Sequence, residues 1–252
     1  MKELEIKKAG GDGSHQLQIA LKSLKNVDWK DKIILDMGCS TGYITSEILK
    51  FTQAKEIIGI DIESDRILKA NQLKRKLKEK RLKFFKADST DLSEFNSNSF
   101  DGVFSNMTFQ QIPPEKLPVA LTEVKRLLKP NGLAIINFNQ RKSDVTLEIQ
   151  KLLQEGNITK FKKLTLKLFR EYAIKTGFSK VKCITRPDIY YHKSLDGLLG
   201  NSKDASWRFQ NAKLNDKQIK EIWQKIRGIF NDRKTNLGYK ESWNMIFAQL
   251  TK

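Results

Sequence analysis

The chain has 252 residues, with 47 Lys+Arg against 29 Asp+Glu and a formal net charge of +18. Its 39% hydrophobic content supports a sizeable core, and two cysteines are too few for a disulfide framework or a zinc site. No apolar run approaches the ~20 residues of a membrane span, and Met1–Lys8 lacks the apolar centre of a signal peptide, so a reducing cytoplasm is the expected compartment.

A flexible joint at Gly10–Ser14 precedes a helix over His15–Leu24, with Leu17, Ala20, Leu21 and Leu24 on one face. This helix and the turn after it, 14–30, read as an N-terminal cap on a single domain spanning 1–252. Ile33–Leu35 reads as a buried strand and Tyr43–Phe51 as a helix. Ile57–Ile60 is a second strand ending at Asp61, followed by a helix from Ser64 to about Lys80. Leu82–Ala87 and Phe100–Phe104 are the third and fourth strands. Pro113-Pro114 suits the first turn of a helix ending near Leu128. Pro130-Asn131-Gly132 then breaks the chain before a fifth strand, Leu133–Phe138. Strands that are continuous apolar runs, alternating with helices, predict a parallel sheet covered on both faces. Beyond residue 140 the expectation is a helix over Thr165–Lys175, a strand over Ser179–Thr185, an amphipathic helix over Asp216–Phe230 and a last strand near Ser242–Leu250. Tyr190–Phe209 fits no period, so 186–215 reads as an irregular lid or substrate-side insertion.

Four polar groups recur at successive strand ends, where open α/β sheets bind ligands. The first is the turn after Asp36, Gly38-Cys39-Ser40-Thr41-Gly42. Gly38 turns with a positive φ, and Gly42 admits a close approach of a ligand or of the strand behind it. The second is Asp61, a carboxylate able to accept both hydroxyls of a ribose. The third is Asp88, suited to an exocyclic amine. The fourth is Ser105-Asn106. The dehydrogenase pattern Gly-x-Gly-x-x-Gly is not supplied by this turn.

These motifs, in this order over about residues 30–140, resemble class I S-adenosylmethionine-dependent methyltransferases, nearest to small-molecule enzymes of the trans-aconitate type. Leu35-Asp36-Met37-Gly38-Cys39-Ser40-Thr41-Gly42 matches the family's first motif except at Ser40, where glycine is usual. Leu127–Leu133 resembles its turn into the fifth strand. The resemblance implies a three-layer, Rossmann-like α/β sandwich with a seven-stranded, mostly parallel sheet whose last strand is antiparallel. It implies S-adenosyl-L-methionine as cofactor, held by Asp36, Gly38, Cys39, Ser40, Gly42, Asp61, Ile62, Asp88, Ser89, Ser105 and Asn106. No metal is expected, and no catalytic residue is assigned.

The acceptor is read from other features. The segment after the fourth strand carries no evident base, no Asn/Asp-Pro-Pro-Tyr signature and no Pro-Cys pair. A carboxylate needs no base, whereas an amine or hydroxyl usually does. A small anionic molecule methylated on oxygen is therefore expected, with Gln110, Tyr191, His192 and Trp207 as candidate substrate residues. Gln110 equally suits a helix start, and the aromatic residues equally suit a core. The basic residues look scattered along the sequence, so nucleic acid is not favoured as partner and a membrane is not expected. The alternatives are an RNA or protein methyltransferase docking through its basic surface, and a non-catalytic cofactor-binding regulator.

Overall fold

A computed structural model describes residues 12–139, 164–195, 215–231 and 234–252. The elements are α1 (Asp12–Leu24), β1 (Ile33–Met37), α2 (Tyr43–Thr52), β2 (Glu56–Asp61), α3 (Ser64–Leu77), β3 (Leu82–Lys86), β4 (Phe100–Asn106), a 3-10 turn (Phe109–Gln111), α4 (Leu117–Leu127), β5 (Leu128–Asn139), α5 (Leu166–Lys175), β6 (Lys180–His192), α6 (Asp216–Asn231), β7 (Lys234–Thr235) and β8 (Gly238–Thr251). The sheet order is β3-β2-β1-β4-β5-β8-β6, with β7 paired to β8. β1 to β5 pair in parallel, and β8 runs antiparallel to β7.

The chain forms two compact units. The first comprises Met1–Phe138, Leu164–Thr185 and Ile246–Lys252; the second comprises Asn139–Lys163 and Arg186–Met245. In the first unit, successive strand residues feed opposite cores. Ile34, Ile57, Phe104 and Ile135 pack with Leu21, Leu24, Trp29, Ile48 and Ala70 from the α1–α3 side. Leu35, Ile60, Val103 and Ile136 pack with Leu121, Val124 and Phe169 from the α4–α5 side. A strand buried on both faces must be apolar at every position, which is why β1 and β2 read as unbroken runs. Asp101 fixes three strands: Oδ2 accepts from the Ile33 N–H at 2.9 Å and Oδ1 from Lys129 Nζ at 2.9 Å.

In the second unit, α6 buries Ile226 and Phe230, and Thr235 Oγ1 donates to the Gly238 carbonyl at 2.7 Å to close the β7–β8 turn. His192 and Glu241 are both buried, with Nε2 2.7 Å from Oε2, and the Tyr190 ring stands edge-on to His192 at 4.7 Å.

Four features differ from the sequence reading. The sheet has eight strands rather than seven, because the two-residue β7 adds a hairpin leg to β8. α3 stops at Leu77, where Lys78 adopts φ 53° and turns the chain out. β5 starts at Leu128 and passes through Pro130-Asn131-Gly132 without ending: Asn131 takes φ 63°, and a register shift between Phe100↔Leu128 and Gly102↔Leu133 absorbs the irregularity. β6 runs on to His192, so the segment expected to be irregular from 186 begins as strand; residues 196–214 lie outside the described residues.

Trp29 fixes α1 on the sheet. Its Nε1 donates to the Leu24 carbonyl at 3.2 Å, and its ring lies where a Cβ on Gly102 would fall. Gly102→Ala is expected to cost about 1–3 kcal/mol through overpacking. Urea denaturation should show a lower midpoint with an unchanged slope; an unchanged midpoint would show that the ring can move aside.

Candidate functional site

The carboxyl ends of β1, β2, β3 and β4 lie side by side, through the registers Met37↔Ile60, Asp61↔Lys86 and Asp36↔Phe104. All the strand-end residues singled out in the sequence sit in the first unit. The turn after β1 hangs on the end of β2: the Gly38 and Cys39 N–H groups both donate to the Ile60 carbonyl, at 2.8 and 2.9 Å. Gly38 and Gly42 take φ 83° and 76°. A Cβ on Gly38 would fall on the Thr108 side chain, and one on Gly42 would lie 2.7 Å from the Phe84 ring and 3.0 Å from Ala70. The close approach at Gly42 is thus to β3 and α3.

Ser40 takes φ 51°, a left-handed conformation for a residue with a Cβ, and its N–H donates to Asp61 Oδ2 at 3.0 Å. The other oxygen, Oδ1, accepts from the Glu63 N–H at 3.0 Å. Each oxygen keeps acceptor capacity for a further donor. Ile62, the next residue, is exposed. Asp88 is half-buried; its Oδ1 accepts from the Thr90 N–H and hydroxyl, both at 2.8 Å, and Ser89 beside it is half-buried.

Asp36 points into the protein. It is buried, and Thr45 Oγ1 on α2 donates to its Oδ2 at 2.6 Å. Burial pushes its carboxyl up to about 7; the Thr45 hydrogen bond opposes this and the Asp61 charge adds to it. Asp36 thus clamps α2 onto β1. Burial, aided by the Asp36 and Asp61 charges, also pushes the Cys39 thiol far above its ordinary range. That leaves a neutral small side chain and no nucleophile.

At the end of β4, the buried Ser105 hydroxyl donates to the Met37 carbonyl at 2.9 Å. Asn106 Nδ2 donates to the Gln16 carbonyl of α1 at 3.4 Å. Asn137 on β5 donates from Nδ2 to Ser23 Oγ at 2.9 Å and to Asn106 Oδ1 at 3.4 Å. Met107 takes φ 61°, its N–H donates to the Asn137 carbonyl at 2.8 Å, and its carbonyl accepts from Gln110 Nε2 at 2.9 Å. That bond fixes the Gln110 amide, and leaves its Oε1, like Asn137 Oδ1, buried without a hydrogen-bond partner.

The structure therefore brings together Asp36, Gly38, Cys39, Ser40, Gly42, Asp61, Ile62, Asp88, Ser89, Ser105, Asn106 and Gln110. Tyr191 and His192 belong to the second unit, His192 as the partner of Glu241, and Trp207 lies outside the described residues. Thr45, Thr108 and Asn137 were missed. Only Asn137 carried a signal: an amide inside the run Ala134-Ile135-Ile136-Asn137-Phe138.

A family model described as "Methyltransferase domain" matches residues 28–192. The chain belongs to this methyltransferase family. A probable methyltransferase, ltbC, of Aspergillus luteorubrus is 32% identical over 110 residues, covering 41% of this chain and 39% of that protein. A fatty-acid O-methyltransferase of Mycolicibacterium smegmatis is 28% identical over 131 residues, covering 52% and 46%. The matches thus span less than half the length of these relatives. The solved structure of the YcgJ protein of Bacillus subtilis superposes with a TM-score of 0.64 at 16% identity, over 94% of this chain and 98% of that one. A phosphoethanolamine N-methyltransferase 2 of Haemonchus contortus, solved with S-adenosyl-L-methionine, gives 0.60 at 19% identity, over 94% and 52%. These likenesses establish the methyltransferase fold: an α/β, Rossmann-like, mostly parallel sheet with one antiparallel strand. Among the described residues, no helix is long and apolar enough to cross a membrane.

The cofactor of this methyltransferase family is S-adenosylmethionine, and the strand ends fit it. The unpartnered acceptors Gln110 Oε1 and Asn137 Oδ1 call for donors, which an ammonium supplies. Ile62 offers an exposed apolar side chain directly after the ribose-type acid. The first turn of α2 carries no acidic residue and no side-chain cap, so its positive end is free for a carboxylate.

The raised Asp36 carboxyl makes stability depend on pH. The native group keeps its proton to about pH 7, whereas an unfolded aspartate loses it near ~3.9. The unfolded state is therefore favoured progressively as pH rises between these values, by up to about 1.4 kcal/mol per unit, with no further change above 7. Asp36→Asn keeps the Thr45 hydrogen bond and removes the titration. Denaturation at several pH values should show the natural protein losing stability relative to this variant from about pH 4 to 7. A constant difference over that range would clear Asp36 of the effect.

Proposed function

We propose that the chain is an S-adenosylmethionine-dependent methyltransferase whose acceptor is a small anionic molecule, a carboxylate methylated on oxygen. The observation that carries this reading is the chemistry of the β4 exit. From Ser105 to Gln111 it carries only hydroxyls, amides, Met107 and the buried Phe109; Ser105 is buried and bonded to the Met37 carbonyl, while Asn106, Met107, Thr108 and Gln110 are half-buried. Such a surface positions an acceptor and does not take its proton. A carboxylate oxygen is already a nucleophile at neutral pH and fits those groups. The net charge of +18 favours capture of an anion.

Bound S-adenosylmethionine supplies an electrophilic methyl on a sulfonium, with a neutral thioether as leaving group. The residues of this chain would supply binding and alignment. Asp61 would take the ribose hydroxyls on the free lone pairs of its two oxygens. Asp88 and Ser89 would border the adenine, with Ile62 against its face. The α2 N-terminus would face the methionine carboxylate, and Gln110 and Asn137 its ammonium. Ser105 and Asn106 hold the β4 end rigidly against Met37 and α1, which fixes the approach of the acceptor; orientation of that kind is the main catalytic contribution available to the protein. The small-molecule reading also rests on the resemblance to trans-aconitate-type enzymes.

Two measurements test this. Asp61→Ala should weaken S-adenosylhomocysteine binding by more than about tenfold in calorimetry, as loss of two charge-assisted hydrogen bonds requires; unchanged affinity would remove Asp61 from the cofactor site. The protein should transfer labelled methyl from S-adenosylmethionine to small carboxylic acids, and mild alkali should release the label, as expected of an ester. Label confined to RNA or protein, or stable to alkali, would overturn the acceptor.

A further inference from the structure

Half of the net positive charge lies in one stretch of the chain, at the edge of the sheet. Arg66–Lys86 holds ten Lys and Arg and a single acid, Glu79, so these 21 residues carry a net +9, half of the chain's +18. The other 231 residues share the remaining +9. The segment is α3 after Ser64 and Asp65, together with β3, the terminal strand of the sheet; the whole of Ser64–Lys86 carries a net +8. Two of the ten are paired locally, Arg81 with Glu79 at 2.8 Å and Lys83 with Glu56 at 2.6 Å. The other eight form no ion pair among the described residues, and Lys69, Arg75, Lys76, Lys78 and Lys80 are exposed, with Lys74 half-buried.

Fold stability accounts for only part of this. Cations in the last turn of α3 complement the helix dipole, and Lys83 and Lys86 protect an edge strand against mispairing. Arg66, however, lies in the first turn of α3, where the dipole disfavours a cation. Arg66 and Lys69 stand three apart within the helix, where like charges are neighbours and repel. Lys80 lies beyond the helix altogether.

We infer that the α3–β3 edge is a docking surface for the phosphate backbone of a nucleic acid, separate from the acceptor position. α3 is about 21 Å long, enough to meet several consecutive phosphates. Phe85 on β3, between Lys83 and Lys86, is partly exposed on the face of the sheet away from Phe84 and α3, its ring edge-on to Phe95 at 6.3 Å, and offers single-stranded bases a stacking surface at the sheet edge. A membrane surface fits less well. The exposed apolar residues of α3, Leu68 and Leu77, are nine positions apart and so lie on opposite sides of the helix, forming no insertable stripe.

The test is fluorescence anisotropy of the full chain with a labelled single-stranded oligouridine of about 12 nucleotides, repeated over a range of salt concentrations. Binding should weaken steeply with salt, with a logarithmic slope of about −3 for some four phosphate contacts. The variant Lys74→Glu/Lys76→Glu/Lys78→Glu should bind at least about tenfold more weakly with a shallower slope, while S-adenosylhomocysteine affinity, measured by calorimetry on the same preparation, stays unchanged as proof of an intact fold. Phe85→Ala should lose a further about fivefold or more without changing the salt slope. No RNA binding at low salt, equal binding by the charge-reversed variant, or preferential binding to vesicles rich in phosphatidylglycerol would overturn the inference.

Discussion

The end of β2 is the point on which the site depends. The Ile60 carbonyl accepts from Gly38 and Cys39, and the Asp61 carboxylate accepts from Ser40 and Glu63. Two consecutive residues thus hold the turn after β1 and the entry to α3. Asp36, one strand away, holds α2 through Thr45. The two acids serve different ends because their surroundings differ. Asp36 is sealed in and its charged form is disfavoured, whereas Asp61 accepts from the Ser40 and Glu63 N–H groups and has lone pairs left over. In the proposed cofactor complex a ribose diol asks for a fixed carboxylate, and the turn asks for an acceptor. One side chain can meet both demands because each oxygen has more than one lone pair.

The frame around this point was readable because its causes are local. β1, β2 and β4 are buried on two faces, so they must be apolar throughout, and the polar residue ending each run marks the ligand-facing edge. Less was readable where the cause lies across the sheet. Whether Asp36 faces a ligand or the interior depends on Thr45 nine residues later. That Gly42 is needed by Phe84 and Ala70 depends on how α3 lies. β5 carries a proline and a glycine that locally argue for a break, but pairing with β4 keeps the strand going through a register shift. β6 alternates over Lys180–Ile184 and again over Asp188–His192 in the opposite phase, with Ile184–Pro187 all exposed between them, so no single period runs through it. Asn137 was overlooked as part of an apolar run, although a buried amide there has to be explained by its partners.

Charge acts in this protein on two scales. Inside, burial keeps the Cys39 thiol neutral, and the Asp36 and Asp61 carboxyls, close enough to influence each other, add to the effect. Outside, lysines and arginines along α3 and β3 produce a field whose strength comes from sum rather than geometry, and which salt would screen within about 8–10 Å. The first sets what is held at the strand ends. The second governs which large anions approach the edge of the sheet.

Ser40 has one more consequence. Its left-handed backbone costs about 1–2 kcal/mol relative to a glycine, and the hydrogen bond that restrains it ends on Asp61. In the proposed cofactor complex, a ribose hydroxyl on the same oxygen would compete with that restraint or reinforce it, so ligand exchange and the order of the turn would share one acceptor. The rate at which a nucleoside leaves would then be tied to how readily one strained peptide relaxes, giving residue 40 control over residence time that a glycine, content in either state, would not exert.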